Sequence, residues 1–364
     1  MGLKNFTAIY RSTFRPTDSG AATFRVMTNG GVTLFLNGKQ IAEATNIKNH
    51  TNLYSFNYEA GKSYDIKLHF IQVKDNPTLH FDLAKQTPMD ARDILNKLKN
   101  ADVVIFAGGI SPLLEGESMR VSDPGFKGGD RTEIELPAIQ REVLALLKKN
   151  GKKTVFVNFS GSAMAIVPET QSCDAILQAW YPGQAGGTAV ADVLFGDYNP
   201  AGRLPITFYK SIQQLPDYED YSMKGRTYRF MTETPLYPFG YGLSYTRFSY
   251  GKATLNQPKL NKGEKAILTI PVSNVGQRDG EEVVQVYICR PDDKGGPQKT
   301  LRGFQRVNIA KGKTQNVNIE LPYDSFEWFD TATNTIRPLS GTYKILYGNS
   351  SNENDLQTCS IQIQ

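Results

Sequence analysis

The stretch WYPGQAGGTAVADVLFGDYNPAGRLPITFY, residues 180–209, decides the fold of the middle of this chain. An aromatic strand end leads into the glycine-rich turn Pro182–Gly187, and the apolar residues that follow predict a helix over Thr188–Phe195. Gly196 is a suitable stop signal, because glycine adopts the left-handed conformation at a helix end without strain. The stretch therefore predicts a strand-to-helix unit of the α/β type.

The residues before this stretch continue the alternation of strands and helices. The apolar run Asp102–Ala107 predicts a strand that is buried on both faces of a sheet. Apolar residues at helical spacing predict a helix over Leu136–Lys149, and two further strands are predicted at Thr154–Phe159 and Ala175–Ala179. This order predicts a three-layer α/β sandwich with a mostly parallel sheet over residues 86–250.

Both flanks of this segment have the alternating pattern of β-strands, so the chain is predicted to be multidomain, α/β plus all-β. Residues 1–85 predict a partial β-sandwich with strands at Thr23–Met27, Val32–Leu36 and Ser63–Phe70, separated by Asn29-Gly30-Gly31, Asn37-Gly38 and Ala60-Gly61-Lys62. Residues 251–364 predict an antiparallel, immunoglobulin-like sandwich with strands at Ala266–Val272, Glu282–Ile288, Thr314–Leu321 and Gly341–Tyr347.

Composition excludes several classes of function. The 364 residues are 40% apolar and 21% charged, which is ordinary for a soluble protein of two or three domains. The net charge of +5 is spread along the chain without a basic stripe, so no nucleic-acid partner is expected. The longest apolar run, residues 101–110, is too short and too interrupted for a membrane span, and the N-terminus has no apolar core of a signal peptide. Three distant cysteines predict neither a disulfide framework nor a zinc site, and no metal or organic cofactor is expected.

The distribution of histidines limits the acid–base chemistry. His50, His69 and His80 are the only histidines, so beyond residue 80 proton transfer must rely on carboxylates, tyrosine or lysine.

One long loop carries the carboxylates of interest. GGISPLLEGESMRVSDPGFKGGDRTEIELP, residues 108–137, follows the first predicted parallel strand, where open α/β sheets bind ligands. It is longer than a simple strand-to-helix connection, and long structured loops are often functional. The loop contains Glu115, Glu117, Asp123 and Asp130.

Several motifs resemble the C-terminal half of glycoside hydrolase family 3, the β-glucosidases and β-xylosidases. They are residues 180–209, KGRTYRF at 224–230 and YPFGYGLSYT at 237–246. VSNVGQRDGEEVVQVYI at 272–288, LRGFQRV at 301–307 and SGTYKILYGNSS at 340–351 resemble the fibronectin type III-like module of that family. TFRVMTNGGVTLFLNGKQI at 23–41 resembles the centre of a protective-antigen-like β-domain, and a stand-alone carbohydrate-binding β-domain is the alternative for residues 1–85.

The resemblance implies a retaining exo-acting glycosidase that cleaves terminal β-linked sugars with two carboxyl groups about 5–5.5 Å apart. In the family the general acid/base is a glutamate on this loop, often just before a G-x-D-R element that Gly129-Asp130-Arg131 matches. Lys127 stands near the place where that glutamate is expected. Aligned with the I-E-x-E-x-x-D-R loop of the xylosidase-like branch, Glu117 takes the place of the catalytic glutamate and Glu115 that of its neighbour. The alternatives are that Glu115 is the proton donor, or that both are solvated.

Asp130 and Arg131 have two interpretations. They can form a charge-assisted pair that fixes the loop, which is the structural role we expect, or they can contact sugar directly.

The attacking group is expected to come from elsewhere. In the family the nucleophile is an aspartate on a TIM-type barrel, and this sequence has no eight-fold βα repeat. We therefore expect an N-terminal barrel domain to complete the site in cis or in trans, and the chain alone to be inactive. The expected partner is a short xylo- or gluco-oligosaccharide, and the full-length protein is expected to be secreted or periplasmic.

Two other functions remain open at this point. A non-catalytic carbohydrate-binding or cell-surface protein would have the same β-modules around a degenerate core. A nucleotide-binding α/β protein would have the same parallel sheet, although the turn Pro182–Gly187 lacks the GxGxxG order.

Overall fold

The computed structural model describes residues 5–44, 52–72, 78–87, 89–112, 114–115, 124–127 and 130–364. The chain divides into two compact units, Met1–Asn100 and Ala101–Gln364. Within the described ranges, none of the helices combines the length and the apolar character that crossing a membrane requires.

The first unit is a two-sheet β-sandwich followed by one short helix. One sheet has the strand order β1-β6-β3-β4 and the other β5-β2-β7, and every pairing is antiparallel. The elements are β1 Phe6–Phe14, β2 Gly20–Thr28, β3 Gly31–Leu36, β4 Lys39–Ala44, β5 Asn52–Tyr58, β6 Tyr64–Gln72, β7 Leu79–Gln86 and α1 Ala91–Lys97.

The predicted alternation explains how this sandwich forms. Alternate residues of each strand point into the layer between the sheets, where Phe24 of one sheet packs with Leu34 and Leu68 of the other. The predicted turn between β3 and β4 is confirmed, because Asn37 and Gly38 have φ values of 50° and 80°. Positive φ at both positions matches the twist of the two paired strands.

The second unit begins with the predicted parallel sheet. Its strand order is β12-β11-β8, and both pairings are parallel. The elements are β8 Val103–Gly109, β9 Phe126–Lys127, β10 Asp130–Arg131, α2 Ala138–Lys149, β11 Lys153–Phe159, α3 Val167–Ser172, β12 Ala175–Gln178, α4 Gly186–Phe195 and α5 Thr227–Phe230. Gly196 ends α4 in the left-handed conformation with φ of 83°, as the sequence predicts.

The prediction that Asp102–Ala107 is buried on both faces is wrong. Val103 is 50% exposed and Ile105 is 49% exposed. β8 lies at the edge of the described three-stranded sheet, and α2 contacts both β8 and β11. Alternate side chains of the strand are therefore exposed, although the run is apolar throughout.

The rest of the second unit is a β-sandwich, as the sequence predicts. All its strand pairs are antiparallel except the pair of β15 with β23. Its strands are β13 Phe248–Tyr250, β14 Thr254–Leu255, β15 Lys259–Leu260, β16 Lys265–Asn274, β17 Gly280–Cys289, β18 Thr300–Ile309, β19 Thr314–Pro322, β20 Glu327–Asp330, β21 Thr335–Pro338, β22 Gly341–Gly348 and β23 Leu356–Ile363. One continuous apolar core fills it, with Leu268, Val286 and Ile345 fully buried.

Aromatic and charged side chains join the α/β part of this unit to the β-sandwich. The ring of Tyr228 stacks on Phe239 at 4.5 Å and meets Tyr287 of β17 edge-on at 5.7 Å. Arg203 donates to Glu282 at 2.7 Å, with side chains only 8% and 1% exposed. These contacts pack the α/β part of the unit against β17.

Candidate active site

The candidate site lies where the three parallel strands end. β8 ends at Gly109, β11 at Phe159 and β12 at Gln178, so the loops that follow them leave from the same edge of the sheet. Ligands of open α/β proteins bind at this edge. An open cleft of about 300 Å³ lies there, lined by Gly108, Gly109, Ile110, Ser111, Pro112, Phe159 and Tyr181.

Glu115 connects all three strand ends. It belongs to the loop after β8, and its Oε1 accepts a hydrogen bond of 2.5 Å from Ser162 Oγ in the loop after β11. Its Oε2 accepts a hydrogen bond of 2.5 Å from the hydroxyl of Tyr181, which follows β12. The Glu115 side chain is 17% exposed. Both carboxylate oxygens are therefore bonded to side chains of neighbouring loops.

Arg131 supplies the positive charge beside this carboxylate. Its Nη1 lies 3.8 Å from Glu115 Oε1 and donates to Ser162 Oγ at 3.0 Å. Its other donors reach backbone carbonyls, including that of Glu133 at 3.1 Å. Burial lowers the pKa of Arg131, and the negative charge of Glu115 opposes this shift. The guanidinium thus ties the segment after β10 to the loop after β11.

The hydroxyl of Tyr181 has two acceptors and one proton. It lies 2.5 Å from Glu115 Oε2 and 2.9 Å from the carbonyl oxygen of Ile110. A charged carboxylate is the stronger acceptor of the two. Burial, and then the hydrogen bond to Glu115, raise the pKa of Tyr181 above its usual value. The phenol therefore keeps its proton and remains a donor at physiological pH.

Glycines allow the loops to approach this closely. Gly109 has φ of 121°, and a Cβ there would lie within 2.8 Å of the backbone nitrogen of Phe159. A Cβ on Gly161 would lie 2.5 Å from Cε2 of Tyr181 and 3.2 Å from Glu115 Oε2. Gln140 of α2 fixes the strand end by bonding both the nitrogen and the oxygen of Gly109, at 2.8 and 2.7 Å.

A series of hydrogen-bonded polar side chains links the site to the ends of β11 and β12. Asn158 at the end of β11 donates to Gln178 at the end of β12 over 2.7 Å. Gln178 donates to Ser160 Oγ at 3.1 Å, and Ser160 donates to the carbonyl of Ser162 at 3.0 Å. Because Ser162 also binds Glu115, the carboxylate is linked to the sheet through this chain.

Of the predicted site residues, the structure brings Glu115 and Arg131 together. Glu117 and Asp123 lie outside the described residues. Asp130 is exposed, and in the part of the chain that the structure describes no ion pair joins it to Arg131, contrary to the expected pairing; Arg131 pairs with Glu115 instead.

Sequence reasoning missed Ser162, Tyr181 and Gln140 as members of the site. Tyr181 stands in the motif at 180–209, but nothing in the sequence connects it to Glu115. The described ranges contain no group of three or more His, Cys, Asp or Glu side chains arranged to hold a metal ion.

Comparison with known proteins gives the family. A model of the glycosyl hydrolase family 3 C-terminal domain matches residues 18–245, and a model of the fibronectin type III-like domain matches residues 282–351. The chain is 49% identical to a xylan 1,4-beta-xylosidase of Xylanibacter ruminicola, over 99% of this chain and 42% of that protein. It is 37% identical to a periplasmic beta-glucosidase of Salmonella typhimurium, over 64% of this chain and 31% of that protein.

Solved structures share the fold. A β-glucosidase from Kluyveromyces marxianus in complex with glucose has a TM-score of 0.74 and 23% identity, covering 99% of this chain and 45% of that one. This likeness concerns the fold alone. The chain spans less than half the length of these two curated relatives. On the family-model match, the chain belongs to glycosyl hydrolase family 3, with that family's C-terminal domain followed by a fibronectin type III-like domain.

Proposed function

We propose that this chain supplies the general acid/base of a retaining, exo-acting β-glycosidase, with Glu117 as the proton donor and Glu115 as its positioning residue. The nucleophilic aspartate is supplied by a barrel domain, in cis or in trans. The acid protonates the leaving glycosidic oxygen while the aspartate attacks the anomeric carbon, and it then takes a proton from the water that releases the sugar.

The observation that carries this proposal is the anchoring of the loop at Glu115. The loop leaves the sheet at the edge where α/β proteins bind ligands. Within it, Glu115 is hydrogen-bonded to the loops after β11 and β12. Glu117 follows two residues later in the sequence. A fixed attachment point close to the acid reduces the conformational freedom that must be lost in the transition state.

The surroundings of Glu115 support a positioning role rather than proton donation. A general acid must be protonated before it acts and must face the substrate. Both oxygens of Glu115 accept hydrogen bonds from protein side chains, and the side chain is only 17% exposed, so neither oxygen is free to face a substrate. We therefore assign proton donation to Glu117.

The relatives suggest the substrate and the location. A relative that is 49% identical over 99% of this chain is named xylan 1,4-beta-xylosidase, so we propose terminal β-linked xylose as the first substrate to test and glucose as the second. A periplasmic relative supports a secreted or periplasmic location for the full-length protein. We also propose domain boundaries at residues 85 and 250, with a protective-antigen-like β-domain before residue 85 and the three-layer α/β sandwich after it.

Hydrolysis of 4-nitrophenyl β-xyloside by the chain joined to its barrel domain tests the proposal. Glu117→Ala is expected to lower kcat by about 10²–10⁴-fold, because water then attacks the glycosyl-enzyme without a general base, whereas kcat/KM for this good leaving group should fall much less. Azide, which needs no deprotonation, is expected to restore turnover of this variant. Glu115→Gln is expected to lower kcat without azide rescue, and Glu133→Gln is the matched control for an exposed glutamate of the same loop.

Each alternative has its own result. Azide rescue of Glu115→Ala in place of Glu117→Ala would exchange the two roles. Absence of hydrolysis with the barrel present would favour a carbohydrate-binding protein. Turnover by the 364-residue chain alone would contradict the need for a barrel aspartate.

A further inference from the structure

A large cavity lies in the β-sandwich, far along the chain from the candidate acid/base. Its volume is about 1020 Å³, and it lies beside the β20–β21 hairpin, with further walls from α5 and from the start of β18. Arginines and aromatic residues line it, among them Arg229, Arg290, Arg302, Tyr323, Trp328 and Phe329.

Among the residues that the structure describes, the three arginines have no carboxylate partner. The structure describes residues 130–364 without a gap, and across all described residues no carboxylate oxygen lies within 4.0 Å of the guanidinium nitrogens of Arg229, Arg290 or Arg302. The Nε atom of each is buried without a hydrogen-bond partner, and so is Oγ1 of Thr300 beside them. Buried charges are normally paired, and a buried donor without a partner is costly.

The positive charges act on one another. Burial lowers the pKa of Arg302, Glu327 opposes this shift, and the charge of Arg229 adds to it. Burial raises the pKa of the Tyr343 phenol, and the charges of Arg290 and Arg302 both oppose this shift. The three arginines are thus like charges in a cavity whose lining also includes the carboxylates of Asp292, Asp293, Glu327 and Asp330.

The acidic residues of the cavity wall do not neutralise this cluster at contact distance. Asp330 accepts from Arg337 Nε at 2.8 Å. Asp293 accepts from Trp328 Nε1 at 2.5 Å and from the backbone of Gly296 at 2.9 Å. Asp292 and Glu327 also line the cavity, and Arg302 donates from Nη2 to the backbone carbonyl of Glu327 at 2.6 Å. Among the described residues, none of these carboxylates lies within 4.0 Å of a guanidinium nitrogen of the three arginines, which leaves room for an external carboxylate at contact distance.

The other walls are suited to a sugar ring. Phe329 is 51% exposed and stands opposite Ile336 in the β20–β21 hairpin. The apolar face of a pyranose can pack on such a surface, while guanidinium groups bind a carboxylate through two parallel hydrogen bonds. A neutral sugar would leave the three guanidinium groups without a carboxylate at contact distance.

We propose that this cavity binds the carboxylate of an acidic saccharide, with Arg229, Arg290 and Arg302 as the anion-binding groups. Phe329 and Ile336 contact the ring. The proposal does not depend on the acid/base assignment, because the residues of the two sites are different.

Isothermal titration calorimetry of the 364-residue chain with glucuronic acid tests this proposal. Glucose is the neutral sugar for comparison, and inorganic phosphate is the anion without a sugar ring. Glucuronic acid is expected to bind, more weakly at high salt, and glucose is not. Arg290→Gln is expected to weaken binding by about tenfold or more, because a charge-assisted pair is lost. Arg302→Lys keeps the charge but loses the planar donor pair, and should weaken binding less.

Arg306→Gln is the control, since Arg306 lies in the same sandwich but pairs with Glu281 outside the cavity. It should bind glucuronic acid like the parent chain. Arg290 makes no side-chain hydrogen bond within the described chain, so its variant should fold, and circular dichroism checks this. Absence of glucuronic acid binding, equal binding of glucose, binding of phosphate alone, or unchanged affinity of folded Arg290→Gln would each overturn the proposal.

Discussion

The hydrogen bond between Tyr181 and Glu115 allows a quantitative test of the anchored loop. Hydrogen bonds to charged groups contribute about 1.5–3 kcal/mol to stability. Tyr181 is 39% exposed, so solvent screening reduces the contribution to somewhat below that range. We expect Tyr181→Phe to lower the free energy of unfolding by about 1 kcal/mol. Glu115→Gln should cost about 2 kcal/mol, because Ser162 and Arg131 also lose their charged acceptor.

A double-mutant cycle isolates the contact itself. The coupling energy between Tyr181→Phe and Glu115→Gln should be about 1 kcal/mol, since the first change removes the donor of this hydrogen bond and the second its charged acceptor. Urea unfolding followed by Trp180 fluorescence reports on this part of the chain. A Trp328→Phe background removes the only other tryptophan.

A matched tyrosine serves as the control for this cycle. Tyr198 also donates its hydroxyl to a glutamate, Glu281, at 3.0 Å. Tyr198→Phe should show no coupling to Glu115→Gln. If the coupling of Tyr181 with Glu115 is below about 0.3 kcal/mol, which is the usual error of additivity, the carboxylate is not held as described. Glu115 would then be a candidate proton donor again.

Three further substitutions test other features of the second unit. Gly109→Ala should destabilise the α/β part by more than about 3 kcal/mol, because its Cβ would overlap the backbone of Phe159 and its φ is 121°. Arg203→Met should cost about 3–5 kcal/mol in urea unfolding, because Glu282 would remain as an unpaired buried charge. Tyr250→Phe should stabilise the chain by about 1 kcal/mol at pH 8, because the Tyr250 hydroxyl is buried without a partner in the described chain.

The pH dependence of the free energy of unfolding also tests the prediction for Tyr250. Burial raises the pKa of Tyr250 in the folded state, so above about pH 10 the unfolded chain loses a proton that the folded chain retains. Stability should therefore fall as pH rises through that range, and the fall should be smaller in Tyr250→Phe. Identical pH profiles for the two proteins would contradict this account.

Controls exist for the other two substitutions. Gly151 also has positive φ, at 67°, but a Cβ there meets nothing within 4 Å. Gly151→Ala should therefore cost only about 1 kcal/mol of conformational strain, and a cost equal to that of Gly109→Ala would refute the steric argument. For the ion pair, Arg203→Met combined with Glu282→Leu should recover most of the loss, and no recovery would show that packing rather than charge is responsible.

Local patterns in the sequence predicted several of the longer strands and helices. The alternating residues of Lys265–Asn274 and the helical spacing that ends at Gly196 identify their elements, because the two faces of a strand or helix differ in burial. The same reasoning failed at Val103 and Ile105, where an apolar run lies at a sheet edge. Whether a strand is central or at an edge depends on its neighbours in space, which composition does not reveal.

The sequence by itself determined the family, the order of elements and the loop that carries the glutamates. Only the tertiary structure decided what surrounds Glu115. Its partners Ser162 and Tyr181 are 47 and 66 residues away, and they meet it because three parallel strands end at one edge. The cluster of Arg229, Arg290 and Arg302 arises in the same way, from segments distant in the chain. Such contacts depend on how strands pair and pack, and no local periodicity encodes that pairing.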